Sequence, residues 1–98
     1  MEKDKKLITE LTQKSKCVIC NRPYPECCLH HVASKGSCTL GDVRENLMPL
    51  CQNHHNEVHQ KGLTFFSMRY ISVHNWLNNN GWEFSEYTGK WLHPNERR

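Results

Sequence analysis

Six cysteines and seven histidines crowd a chain of only 98 residues, and they leave it little choice of fold. Hydrophobic residues make up 37% and the mean hydropathy is −0.78, so any apolar core must be thin. The length suits about one domain, since domains mostly run ~50–200 residues. Small domains with thin cores need disulfides, a metal or oligomerisation to become stable. Met1 to Lys16 alternates charge with scattered apolar residues and lacks the apolar segment of a secretory signal. No run approaches the ~18–20 apolar residues of a membrane span. Cysteine without an export signal points to a reducing compartment, where thiols bind metal or react rather than pair. The expectation is a cytoplasmic metal domain without membrane association, in preference to a disulfide scaffold.

The net charge of +3 is unevenly placed. Residues 1–22 carry Lys3, Lys5, Lys6, Lys14, Lys16 and Arg22 against Glu2, Asp4 and Glu10, whereas residues 23–98 balance at seven against seven. The excess therefore lies in the first segment, which is either a solvated helix face or a surface for a phosphate backbone.

Leu7, Ile8 and Leu11 recur at helical intervals, predicting a short amphipathic helix from Asp4 to Ser15. Cys17 to Cys20 and the following Asn21 to Pro25 read as a knuckle and turn. Cys28 to Val32 is a first strand, Ser34 to Asp42 a loop, and Leu47 to Leu50 a second strand in which Pro49 argues for an edge or a strand end. Asn53 to Gln60 reads as a helix closed by Gly62. Another helix can start at Thr64 to Met68, and Ser72 caps a firmer one that stops at Gly81. Trp82 to Phe84 and Lys90 to Leu92 form a hairpin about Thr88 and Gly89. Trp76, Trp82, Trp91 and Tyr87 are expected to fill the small core, and His74 and His93 to be ordinary histidines.

The cysteines and histidines fall into two sets. Cys17 and Cys20 are spaced C-x2-C, and Cys51 and His54 are spaced C-x2-H. Two such pairs make a closed tetrahedral zinc site of three sulfurs and one nitrogen. Cys27, Cys28 and Cys38 remain as spare thiols, either substitute ligands or small buried residues. His30, His31, His55 and His59 are left over. His55 and His59 share a helical face, but His54 lies about 100° around the helix from His55, so the two do not easily serve one ion. His30 and His31, adjacent on a strand, point to opposite sides. The chemistry asks for two centres, one sulfur-rich and closed, the other built of nitrogen and open. A rival assignment joins Cys17 and Cys20 to His55 and His59. It spans 34 residues between Cys20 and His55, far more than the ~12 of a two-cysteine, two-histidine finger, and it orphans Cys51 and His54. Glu57 lies two residues after His55, where a metalloprotease helix has its glutamate one residue after.

At these residues the chain resembles the HNH endonucleases, or ββα-metal nucleases, in their zinc-knuckle form, and especially the small phage-encoded HNHc group. The likeness rests on Cys17-Val-Ile-Cys20, Leu29-His-His-Val32, Asn46-Leu-Met-Pro-Leu-Cys51 and His54-His-Asn-Glu-Val-His59-Gln-Lys-Gly62, and it continues through Phe65 to Tyr70. The resemblance implies that His30, His55 and His59 hold a catalytic divalent ion, that His31 is the general base, and that Asn46 pins the loop between the strands. Where many members have Cys-x2-Cys-His, this chain has Cys51-x2-His54-His55, and where many have Asp, it has His30. Three neutral imidazoles favour Zn²⁺, Ni²⁺ or Mn²⁺ over Mg²⁺ in binding.

The same resemblance implies a small α+β fold. It has a ββα-metal core stapled by structural zinc, an N-terminal helix and a C-terminal helix and hairpin. One domain over 1–98 is expected: a basic helix at 1–16, knuckle and core at 17–62, and an extension at 63–98. The implied activity is one-metal hydrolysis of DNA phosphodiester bonds, by an endonuclease or nickase. Lys35, Arg44, Lys61 and Arg69 are candidate phosphate contacts, and phage packaging or recombination proteins are implied partners. The alternative is a non-catalytic zinc-binding adaptor on the same scaffold, which needs neither His31 nor an open three-histidine centre.

Overall fold

A computed structural model describes residues 4–33 and 40–94 of the chain. In chain order the elements are α1 (Lys5–Lys14), β1 (Cys27–His31), a 3-10 turn (Arg44–Asn46), β2 (Leu47–Cys51), α2 (Gln52–Lys61), α3 (Leu63–Arg69), α4 (Ile71–Asn79), β3 (Glu83–Ser85) and β4 (Lys90–Leu92). They form a small α+β fold, with four α-helices and two antiparallel two-stranded sheets, β1–β2 and β3–β4, among the described residues. A strand–strand–helix unit, β1–β2–α2, lies at its centre.

Each boundary has a local cause. The Asp4 carboxylate accepts the Leu7 N–H at 3.0 Å and starts α1. The helix turns Leu7, Ile8 and Leu11 inward as a half-buried stripe but buries no residue fully, so α1 depends on packing against its neighbours. Asn21 adopts a left-handed φ of 62° at the knuckle, a conformation that asparagine tolerates. The Val18 N–H then donates to the Pro49 carbonyl at 3.1 Å, docking the knuckle on β2. Gly62, with φ 85°, closes α2 and starts α3 in a single residue.

Met48 and Leu50 of β2, Val58 of α2, Phe66 of α3, Val73 and Leu77 of α4, and the hairpin's Trp82 and Trp91 share one apolar cluster. Both indoles are also satisfied: Trp82 Nε1 donates to the Glu45 carbonyl at 2.6 Å and Trp91 Nε1 to Ser67 Oγ at 2.8 Å. Two expectations are corrected. Tyr87 is no core residue. It is 97% exposed, because it lies in the turn between β3 and β4 where no element covers it. Ser72 is not the cap of α4, which begins at Ile71 with Tyr70 as its cap and no side-chain capping bond. Only the extended Tyr70 separates α3 from α4, so the second helix starts two residues sooner than a Ser72 cap requires and Ser72 falls in its first turn.

Asn46 is fully buried between the two strands. Its Oδ1 accepts the Ala33 N–H at 2.7 Å, and its Nδ2 donates to the carbonyls of Ala33 at 3.1 Å and Gly41 at 2.9 Å. One side chain thus holds both ends of the β1–β2 connection. Each buried hydrogen bond contributes about 1 kcal/mol and unpaired partners add a desolvation penalty. Asn46→Ala is therefore expected to destabilise the fold by about 3 kcal/mol in urea unfolding. Asn46→Asp should not rescue it, since a carboxylate keeps the acceptor but loses both donors.

Candidate metal centres

Cys17 and Cys20 come from the knuckle, Cys51 ends β2, and His54 lies in the first turn of α2. Their four ligand atoms lie within 4.8 Å of one another. Cys20 Sγ is 3.6 Å from Cys51 Sγ, and His54 Nδ1 is 3.1 Å from Cys51 Sγ and 3.7 Å from Cys17 Sγ. Bonds of ~2.3 Å to sulfur and ~2.0–2.1 Å to nitrogen give a tetrahedron with edges of about 3.5–3.8 Å. The cluster could therefore hold a metal such as zinc. Burial pushes the Cys17 thiol up, but backbone hydrogen bonds at Cys20, Cys51 and Ile19 outweigh it and bring it down to about 6. The ring of Tyr70 packs edge-on against His54, and its hydroxyl donates to Glu57 Oε1 at 2.8 Å.

Cys27 and Cys28 stand outside this cluster. Burial, then neighbouring thiolate charge, pushes Cys27 up to about 11, and burial likewise raises Cys28. Both are therefore poor thiolate donors. Cys38 and Lys35 lie outside the described residues.

The second set is built across the β1–α2 contact. His30 projects from β1 toward α2, where its ring meets those of His55 and His59 edge-on at centroid separations of 5.2 and 5.0 Å. The nitrogens of all three lie within 4.8 Å of one another, and the Nε2 atoms of His55 and His59 are 3.1 Å apart. Cis ligands at ~2.0–2.1 Å from one ion are separated by about 2.9–3.4 Å, so this donor set also fits a cation. Neutral imidazole is the form that binds it, and His30 is held there. Burial first, then the positive charge that His55, His59 and His31 would carry, lowers its pKa to about 3. On His55, Nδ1 faces Cys28 Sγ at 3.6 Å, and that thiol donates to the Leu50 carbonyl at 3.2 Å. Cys28 thus orients the His55 ring through its second nitrogen, the usual task of a ligand's outer partner. Its place two residues before His30, on the same strand face, was the available signal for this role.

His31, the last residue of β1, is held separately. Its Nε2 lies 2.7 Å from Oδ1 of Asp42, a buried aspartate of the connecting loop that no sequence motif flagged. Arg44 is exposed at the 3-10 turn and Lys61 at the end of α2, with its ammonium 6.0 Å from the Phe65 ring centroid. Arg69 ends α3 and is already engaged, its Nε 3.0 Å from the Tyr70 hydroxyl and 3.4 Å from Glu57 Oε2. Glu57 faces this pair, which leaves the protease comparison without its base. His74 packs edge-on against Trp91, and His93 is buried against Trp82 with Nε2 3.0 Å from the Asn80 carbonyl. No family model matches the chain, and no curated protein or solved structure matches it significantly.

The separation of the two sets is testable by metal content. Metal analysis of a His55→Ala/His59→Ala variant should find about one ion per chain, with the fold intact. Unfolding with loss of all metal would mean that the two sets form one centre. A second expected outcome concerns pH. The folded pKa of His30 lies below its ordinary 6.5, so the unfolded chain takes the proton first. In metal-depleted protein the His30 contribution is complete above about pH 6.5 and is lost as pH falls toward about 3. Urea midpoints at about pH 7.5 and about pH 4.5 should drop further for the wild type than for His30→Asn.

Proposed function

We propose that this chain is a metal-dependent DNA endonuclease or nickase of the HNH, ββα-metal type. The observation that carries the reading is the convergence of His30, His55 and His59 from a strand and a helix, beside His31 and apart from the cysteine-rich cluster. A purely structural zinc domain needs the cluster alone. In this reading Cys17, Cys20, Cys51 and His54 hold zinc as a permanent cross-link between knuckle and helix. The divalent cation that His30, His55 and His59 would hold supplies, when bound, Lewis-acid stabilisation of the charge that builds on the phosphate.

The remaining chemistry belongs to the chain. His31 takes a proton from a water molecule, work for which an imidazole side chain is chemically suited. The water oxygen forms a bond to phosphorus, and the bond from phosphorus to the 3′ oxygen breaks with its electron pair. The departing oxygen is protonated from solvent, leaving a 5′-phosphate and a 3′-hydroxyl. Asn46 keeps the loop after His31 in place. Among the described residues, Arg44 and Lys61 are exposed cations of the core that could meet phosphates, and the basic face of α1 adds sequence-independent attraction. Neutral imidazole ligands favour Mn²⁺, Ni²⁺ or Zn²⁺ over Mg²⁺ in binding. The proposed setting is the cytoplasm of a bacterial or phage-infected cell. Among the described residues no helix is long and apolar enough to cross a membrane.

Supercoiled plasmid incubated with Mn²⁺, Ni²⁺ or Mg²⁺ should be nicked or linearised by the wild type. His31→Ala should cut at least ~10²-fold more slowly while still retarding DNA in a gel. If both proteins are inert and both bind DNA, the zinc-binding adaptor replaces the nuclease.

A further inference from the structure

Asp42 is used by none of the chemistry above, yet it is one of the few charged side chains buried in the fold, at 4% exposure. A buried carboxylate is retained only where donors meet it. Oδ1 lies 2.7 Å from His31 Nε2, and Oδ2 accepts the backbone N–H of Asp4 at 3.0 Å. Its backbone is fixed as well. Gly41, the residue before it, gives its carbonyl to Asn46 Nδ2, so the buried asparagine and the aspartate act on one rigid stretch of loop. The imidazole it holds is more open, with 25% of the His31 side chain exposed against 5% for Asp42.

From this geometry we infer that Asp42 is the positioning residue for His31, holding its ring by Nε2, keeping the proton there and leaving Nδ1 as the basic nitrogen. A carboxylate only accepts, so the short contact requires Nε2–H and the neutral ring carries its lone pair on Nδ1. When Nδ1 takes the water proton, the cation that forms is stabilised by the carboxylate already against its other nitrogen, and the proton later returns to solvent. The catalytic part of this inference rests on the hydrolase reading. The tautomer does not.

Asp42→Asn separates positioning from mere stitching. The Asp4 N–H can only donate, so it captures the single oxygen of the new amide and turns the NH₂ toward His31 Nε2. The isosteric variant should therefore move the His31 proton to Nδ1 without opening the loop. Nitrogen-15 NMR of the metal-loaded wild type should show Nε2 protonated and Nδ1 bare, and Asp42→Asn should show the reverse. On plasmid with Mn²⁺ the variant should lose about 10²-fold or more in kcat with KM and melting temperature little changed. Adding it to His31→Ala should cost nothing further, since the two act as a unit. The inference is overturned if the wild-type ring carries its proton on Nδ1, a result that needs no variant to fold. It is also overturned if kcat survives the tautomer change or falls equally in the His31→Ala background. If the tautomers are as expected but the wild type cuts no DNA with any metal, the hydrolase reading fails on its own and Asp42 reduces to a loop tether.

Discussion

Three cysteine sulfurs and a histidine nitrogen meet at the junction of the knuckle, β2 and α2, and the placement of everything else depends on that meeting. Without a cation, the site crowds thiols whose ionised forms repel one another. With one, it is a cross-link between stretches some thirty residues apart in the chain. The core that it supplements is slight: α1 buries no residue fully, and β1 buries only Cys27. Because Cys51 is both the last residue of β2 and the residue preceding α2, the cluster also fixes the angle at which α2 leaves the sheet. That angle decides where His55 and His59 point.

The division between the two donor sets is a matter of backbone geometry. Successive helix residues diverge by about 100° and residues four apart by about 40°, so His54 turns to the sulfurs while His55 and His59 leave together on another face. Successive strand residues alternate, so His30 faces α2 while His31 meets the loop at Asp42. Two adjacent histidine pairs are each split, one by a helix and one by a strand. The split puts three imidazoles in one place and a fourth, differently partnered, close by. Burial then keeps the innermost ring neutral, which is the state a cation requires.

These periodicities are why much of the site was legible in the sequence. The ligand spacings C-x2-C, C-x2-H and H-x3-H are local and survive folding, and so does a buried Asn just ahead of a short strand. What the sequence did not disclose depends on where loops close. Asp42 meets His31 from 11 positions away in the chain, and neither residue's neighbourhood announces the contact. Cys28 looked like a small hydrophobe because its partner, His55, lies 27 residues away. Ser72 carried a capping signal that the nearly continuous turn from α3 into α4 overrode. Tyr87 had the composition of a core residue and the address of a turn.

The link from Asp4 to Asp42 gives α1 a purpose that its packing does not. A ten-residue helix with only a half-buried apolar stripe is marginal by itself. Its Asp4 side chain is spent on capping the helix, yet the backbone N–H of the same residue reaches 38 positions along the chain to the carboxylate that holds His31. The helix is thereby tied to the loop residue that holds His31. Lys5, Lys6 and Lys14 remain exposed on it. Under the proposed reading, one short element both donates a hydrogen bond to Asp42 and carries exposed positive charge. A polyanion drawn to that charge would meet an element tied, through Asp42, to the histidine that this reading makes the base.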